Sequence, residues 1–234
     1  SPPFDIGGTT SAALRGARLG KTPQERLKRA RQHANTSSQA NGSLMRISPL
    51  GIFGVGNSAT AADWARTDSS LTHPHPVCQD ACAVFVAAIA TAIATRCSAQ
   101  ECYQAALDEA KRSSATQSVV DALQDAAQWP PEDYQTQQGW VLIGLQNAFY
   151  QLLHAPSLEE GVVRTVMAGG DTDTNAAIAG ALLGAVHGRE AIPPQWLRSI
   201  LSCRPLPKAG SLHPRPIEFW PVDALRLAET LLVG

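Results

Sequence analysis

Charge is scarce in this sequence. Asp, Glu, Lys and Arg make up 17% of its 234 residues, and 19 basic against 20 acidic side chains leave a formal net charge of −1. No long run of Lys or Arg breaks that balance, which argues against a protein that holds nucleic acid through bulk electrostatics. Low charge with 44% hydrophobic residues also excludes disorder and predicts a sizeable core. Aromatics are sparse as well, at 6%. Most of the apolar content is alanine, so the core is expected to be closely packed and helical.

Stretches of Val, Ile and Thr alternating at period two are absent, so no β-sheet is expected. Neither an internal repeat nor a composition break that would mark a linker is found. At roughly 100–200 residues per domain, the expectation is a single all-α domain over residues 1–234, built from about ten helices around one core. Ser1-Pro2-Pro3-Phe4 has neither the basic nor the apolar region of a signal peptide. The oiliest run, Ala81 to Ala94, falls short of the ~20 residues of a membrane span. These features predict a cytoplasmic protein with no membrane partner. Cys78, Cys82, Cys97, Cys102 and Cys203 are odd in number and lack zinc-finger spacing, so they read as buried or half-buried thiols in a reducing compartment.

Helix signals fill most of the chain. Thr22-Pro23-Gln24-Glu25 and Ser98-Ala99-Gln100-Glu101 read as capping boxes, starting helices that run to about residues 34 and 112. Pro76 to Thr95 is apolar on nearly all faces and predicts a central buried helix. Ser43 to Phe53 is a short apolar stretch interrupted by Pro49, and Thr60 begins another short helix. Further helices are expected over 118–128, 139–153, 158–168, 171–187, 194–201 and 222–232.

Four segments stand out chemically. In Gly169-Gly170-Asp171-Thr172-Asp173-Thr174-Asn175 the glycines permit a tight turn and the next four residues are good N-cap types. Two carboxylates in three residues exceed the needs of one cap. Asp171, Asp173 and Thr174 therefore read either as a cap or as hard oxygen ligands for Mg²⁺, Mn²⁺ or Ca²⁺. Gly180 and Gly184 follow, and each glycine inside a helix costs about 1 kcal/mol, which suggests close approach of a neighbouring helix. Asn41-Gly42-Ser43-Leu44-Met45-Arg46, after the polar loop Asn35–Gln39, is either an ordinary capped turn or a set of donors for a polar ligand. Asp5-Ile6-Gly7-Gly8-Thr9-Thr10 is a possible diphosphate cradle. His73 and His75 sit between prolines in a rigid turn, suited to a metal, a ligand or a backbone carbonyl.

Together, and in this order, these segments resemble the ADP-ribosylglycohydrolase family. The most specific match is Gly169–Thr174 with its small-residue helix, supported by Asn41–Arg46, Thr72-His73 and Asp5–Thr10. The resemblance covers Asp5 to about Gly188. It implies an all-α fold with a binuclear Mg²⁺ or Mn²⁺ site in a cleft for ADP-ribose. It also implies Asp171, Asp173 and Thr174 as metal ligands, and Gly7, Gly8 and Thr9 near the diphosphate. Ser38, Asn41, Gly42 and Ser43 would line the ribose and phosphate pocket, with His73 in contact with the ligand. The substrate implied is an ADP-ribosylated protein, cut between C1 of the distal ribose and its acceptor.

Such proteins also carry an upstream Gly-Asp-Ala-type motif, an acidic residue and a Thr/Ser-Asp-Asp triplet. Asp63 and Asp68, the nearest acidic residues in a central loop, stand in a different setting, Trp64-Ala65-Arg66-Thr67. The catalytic acid and the remaining metal ligands are therefore expected upstream of Ser1 or on a separate chain. The alternatives on the same scaffold are an inactive ADP-ribose-binding or structural protein, and a hydrolase of another ribosyl compound.

Overall fold

The computed structural model describes residues 6–233; Ser1 to Asp5, and with them the first residue of the Asp5–Thr10 segment, lie outside it. The regular structure of the described residues is twelve α-helices and short 3-10 turns. In chain order they are α1 (Gly8–Ala17), α2 (Pro23–His33), α3 (Ser48–Phe53), α4 (Ser58–Ser69), α5 (Pro76–Thr95) and α6 (Ala99–Arg112). Then come α7 (Gln117–Ala126), α8 (Val141–His154), α9 (Leu158–Met167), α10 (Thr172–His187), α11 (Pro194–Leu201) and α12 (Ala224–Val233). No strand forms among them; Ala40 and Trp140 share one isolated antiparallel bridge.

The predicted caps account for several boundaries. Ser98 and Glu101 form the full reciprocal box, whereas Thr22 accepts from the Glu25 N–H and the Glu25 carboxylate reaches back one residue further, to the Lys21 N–H. Ser157 caps α9 through the Glu160 N–H. Pro49 does not interrupt a helix. It lies in the first turn of α3, where its missing N–H would have no intrahelical partner anyway. Asp63 and Asp68 stand on α4 and not in a loop.

The core is centred on α5, which packs on α4, α6, α3, α10 and α8. Its Phe85, Val84, Val86 and a run of alanines are essentially inaccessible. At 20 residues, with a mean hydropathy of 1.9 over its most apolar 18, it is long and apolar enough to cross a bilayer, unlike the shorter run read from sequence, yet 78% of that 18-residue stretch is buried inside the fold. Its apolar faces are thus covered by other helices. Cys78, Cys82 and Cys102 are buried and Cys97 half-buried, but Cys203 is exposed, contrary to the expectation for it; all five are free.

Gly180 and Gly184 do not provide the close helix approach that their spacing suggested. A Cβ at Gly180 would meet only Val162 at 3.6 Å, and one at Gly184 would meet nothing within 4 Å. The tight positions lie on the partner helices instead. A Cβ on Gly144 would stand 2.9 Å from Ile178, and one on Gly161 2.7 Å from Leu183. Glycines of α8 and α9 thereby accept the large side chains of α10.

Candidate functional site

Two left-handed glycines shape the turn at the start of α10. Gly169 has φ +84° and Gly170 φ +70°, a region that residues with a Cβ enter at a cost. Space is also closed there, because a Cβ on Gly170 would fall on the Tyr134 carbonyl oxygen and one on Gly169 on the Gln135 amide. The loop over these glycines is pinned by Tyr134, whose hydroxyl donates to Asn147 Oδ1 on α8 (2.9 Å). Asp171 occupies the N-cap of α10, but its side chain makes no cap hydrogen bond. Its Oδ2 instead accepts from Asn41 Nδ2 at 2.7 Å, across 130 positions of sequence. The exposed Asp173 takes over part of the capping by accepting the Thr174 N–H at 2.8 Å. None of the ion pairs among the described residues neutralises Asp171 or Asp173, so the positive end of α10 is the nearest compensation in view.

Asn41 belongs to a turn held from both sides. Its N–H donates to Gly139 O at 2.9 Å. Arg46 reaches back with Nη1 to Gly42 O (3.2 Å) and Thr72 Oγ1 (2.9 Å), and with Nη2 to Asp68 Oδ2 (2.8 Å). Ser43 is fully buried, and its hydroxyl is engaged by Ser69 Oγ at 3.0 Å and Cys82 Sγ at 3.5 Å. Its side chain therefore stands behind the turn and does not line a pocket. Burial pushes the Cys78 thiol up to about 12 and Cys82 up to about 11. Both stay protonated, and the Cys78 S–H points at the Ser38 and Ala40 carbonyls (3.7 and 3.6 Å).

His73 is packed against Gly42: a Cβ there would lie 2.9 Å from Cε1, 3.0 Å from Nε2 and 3.4 Å from Thr10 Oγ1. Arg46 has only donors to offer, so Thr72 Oγ1 accepts from it, and the same hydroxyl lies 2.8 Å from His73 Nδ1. The Nε2 edge of the ring faces the corner between Gly42 and Thr10. Burial, aided by the Arg46 charge, lowers the His73 pKa to about 4.

Protonation of His73 is thus easier in the unfolded chain than in the folded one. Its contribution to stability is intact above the unfolded value near 6.5 and is lost as pH falls toward 4. Between pH 7 and pH 5 the loss from this group should be about 2 kcal/mol. Urea unfolding at the two pH values checks this: the His73→Gln protein should lack that part of the pH dependence.

The start of α1 completes the cluster. Thr9 Oγ1 donates to Ser38 Oγ at 3.2 Å. Gly7 and Gly8 are exposed, with nothing within 4 Å of a Cβ on either, and the first N–H groups of α1 have no intrahelical acceptor. Links between side chains and turns therefore join all four segments, Gly7–Thr10 to Ser38, Thr10 and His73 to Gly42, and Asn41 to Asp171. His75 goes elsewhere, capping α5 through the Val77 N–H and facing Gln39. Arg46, Thr72 and Asp68 carry the support that sequence reasoning left unassigned. The signal for the first two was their place inside the Asn41–Arg46 and Thr72-His73 runs.

Asp171, Asp173 and Thr174 offer carboxylate and hydroxyl oxygens without basic partners, a donor set that fits a hard divalent cation. Among the described residues no cluster of three or more His, Cys, Asp or Glu side chains is suited to a metal ion.

Comparison with known proteins places this geometry. A profile of the ADP-ribosylglycohydrolase family matches residues 1–215. The chain is 27% identical over 161 residues to the ADP-ribosyl-[dinitrogen reductase] glycohydrolase of Rhodospirillum rubrum, covering 68% of this chain and 50% of that protein. It is 27% identical over 225 residues to an ADP-ribosylarginine hydrolase of Pseudomonas putida, covering 95% and 57%. It thus spans little more than half the length of these two relatives. A solved ADP-ribosylglycohydrolase-related protein complex superimposes with a TM-score of 0.67 at 22% identity, over 99% of this chain and 82% of that one, a likeness of fold. The all-α architecture, the ordered motifs and the family profile agree, and the chain belongs to the ADP-ribosylglycohydrolase family.

Proposed function

We propose that this chain belongs to a metal-dependent hydrolase that removes ADP-ribose from a modified acceptor by cutting the N- or O-glycosidic bond at C1 of the distal ribose. The observation that carries the reading is the Asn41–Asp171 hydrogen bond. It takes the N-cap carboxylate of α10 away from capping and fixes it beside the turn that joins the other motifs. Asp171, Asp173 and Thr174 would hold Mg²⁺ or Mn²⁺, a binuclear pair in the complete site. Bound there, the cation would bind ribose hydroxyls and lower the pKa of a water.

The chain's own residues do the rest by binding and orientation. The free N–H groups at the start of α1, with Gly7 and Gly8 leaving open space above them, suit a diphosphate. Thr9 and Ser38 brace that edge through their mutual hydrogen bond. Asn41 orients Asp171, and Gly42, lacking a Cβ, leaves room for the His73 ring edge beside the turn. Acceptor specificity and the acidic group that moves the proton are expected from parts of the protein beyond these motifs.

Titration calorimetry with ADP-ribose, with and without Mg²⁺, tests the binding half. Saturable binding that tightens with Mg²⁺ and is lost in Asp171→Ala is expected. Heats no larger than dilution in both conditions would count against it. Binding without turnover of any modified protein would favour the inactive ADP-ribose-binding reading.

A further inference from the structure

Away from the motif cluster, between α7 and the start of α8, lies an open groove of about 1000 Å³. Trp129 and Trp140 flank it, and Leu142 and Ile143 line its depth. Trp129 is 67% exposed, an apolar surface that none of the helices covers. The remaining lining is one-signed: Asp121, Asp125, Glu132 and Asp133 contribute carboxylates, and no Lys or Arg lines it. Asp133 turns its carboxylate into its own loop, accepting the Gln135 and Thr136 N–H groups, and Asp121 accepts from Gln117. Asp125 and Glu132 lie outside every ion pair among the described residues.

The groove leads toward the candidate site. Thr136, Gln137 and Trp140 also line a second hollow of about 780 Å³, whose other wall is Ser37, Gln39 and Ala40. Ser38 and Asn41 belong to the same loop. Trp140 is held at the junction by its indole N–H, which donates to Gln39 Oε1 at 2.9 Å.

We infer that this groove docks a cationic, Arg-bearing segment of the modified protein, next to the residue whose ADP-ribose enters the Asn41–Asp171 cleft. An exposed indole beside carboxylates is the surface a guanidinium fits, through its face on the ring and its donors on the acid groups. A concave, one-signed lining also raises the local concentration of the opposite charge. Asp125 and Glu132 select the charge, and Trp129 supplies the contact area. The identity of the peptide as part of a substrate rests on the hydrolase reading; the groove's preference for a cation does not.

Fluorescence anisotropy with a labelled nonapeptide of alternating Arg and Ser tests the docking without ADP-ribose. Saturable binding that weakens as salt rises is expected. Replacing both Asp125→Asn and Glu132→Gln should weaken it by about fivefold or more, and Trp129→Ala by about tenfold, while Trp129→Phe stays near wild type. A peptide with Glu in place of Arg should not bind. No saturable binding of the Arg peptide, equal binding of the Glu peptide, or undiminished binding by the carboxylate variant overturns the proposal. So does self-association in sedimentation that Trp129→Ala abolishes, which would assign the groove to a second copy.

A kinetic arm separates this idea from the hydrolase reading. With an ADP-ribosylated Arg-rich peptide, the carboxylate variant should raise KM by about tenfold at unchanged kcat. It should hydrolyse a modified acceptor without peptide flanks as wild type does. An unchanged KM for the peptide contradicts the docking role. Absence of turnover in wild type speaks against the hydrolase reading and leaves the anisotropy result to decide the groove.

Discussion

Replacing Gly170 with alanine should destabilise the protein by about 3 kcal/mol and disable the candidate site with it. Two penalties add at this position. The left-handed φ of +70° costs an L-residue about 1–2 kcal/mol. The new methyl must also occupy the place of the Tyr134 carbonyl oxygen, and a backbone atom cannot rotate aside as a flexible side chain would. Either the loop over the turn lifts, breaking the Tyr134–Asn147 hydrogen bond, or the turn moves and carries Asp171 off Asn41. Gly184→Ala on the same helix is the control. Its Cβ meets open space, so helix propensity should dominate and stabilise by about 0.5–1 kcal/mol. Urea unfolding of the pair reads both effects, and equal midpoints would contradict the account of the turn.

A comparable loss is expected at Arg66. This α4 side chain pairs with Asp80 of α5, donates to Ser113 Oγ at 2.6 Å, and lies 3.9 Å from Glu109 of α6. The Asp80 and Glu109 side chains are only 9% and 4% exposed. Arg66→Ala leaves Asp80 with the Thr116 N–H (2.7 Å) as its one remaining hydrogen bond and no countercharge in contact. Glu109 keeps Arg112 at 2.6 Å. Removing one partner of a buried pair costs about 3–5 kcal/mol, whereas replacing both by apolar groups is often nearly neutral. Arg66→Leu combined with Asp80→Leu should therefore recover much of the loss. A single variant within about 1 kcal/mol of wild type would show that the cluster is too well solvated to matter.

Much of this architecture was legible because the signals are local. A long stretch apolar on nearly all faces marks α5 from Pro76 to Thr95, and Ser98-x-x-Glu101 marks the start of α6 through two hydrogen bonds spanning three residues. Where local signals conflict, tertiary context decides. Pro49 reads as a breaker in isolation but is harmless in a first turn. Gly180 and Gly184 read as a packing seam, but the seam lies on Gly144 and Gly161 across from them.

The residues of the candidate site were legible as four segments, joined in one cleft only through the family resemblance. Pattern alone could not choose between cap and ligand for Asp171, since both uses need the same carboxylate at the same position. What draws the carboxylate away from capping is Asn41, 130 residues away. The support behind the site was equally hidden. Arg46, Thr72 and Asp68 act through contacts across 22 to 26 positions, and the neutral state of His73 depends on burial that no local pattern reveals. Burial of the Ser43 hydroxyl in a network with Ser69 was hidden in the same way.

The most direct measurement is the release of ADP-ribose from an ADP-ribosylated protein with Mg²⁺ or Mn²⁺, comparing wild type with Asp171→Ala and Asp173→Ala, each checked for an unchanged helical circular dichroism spectrum. Wild type is expected to turn the substrate over, with Asp171→Ala slower by about 100-fold or more and Asp173→Ala similarly impaired. Equal rates in all three proteins, zero included, would contradict the assignment of these carboxylates to the reaction.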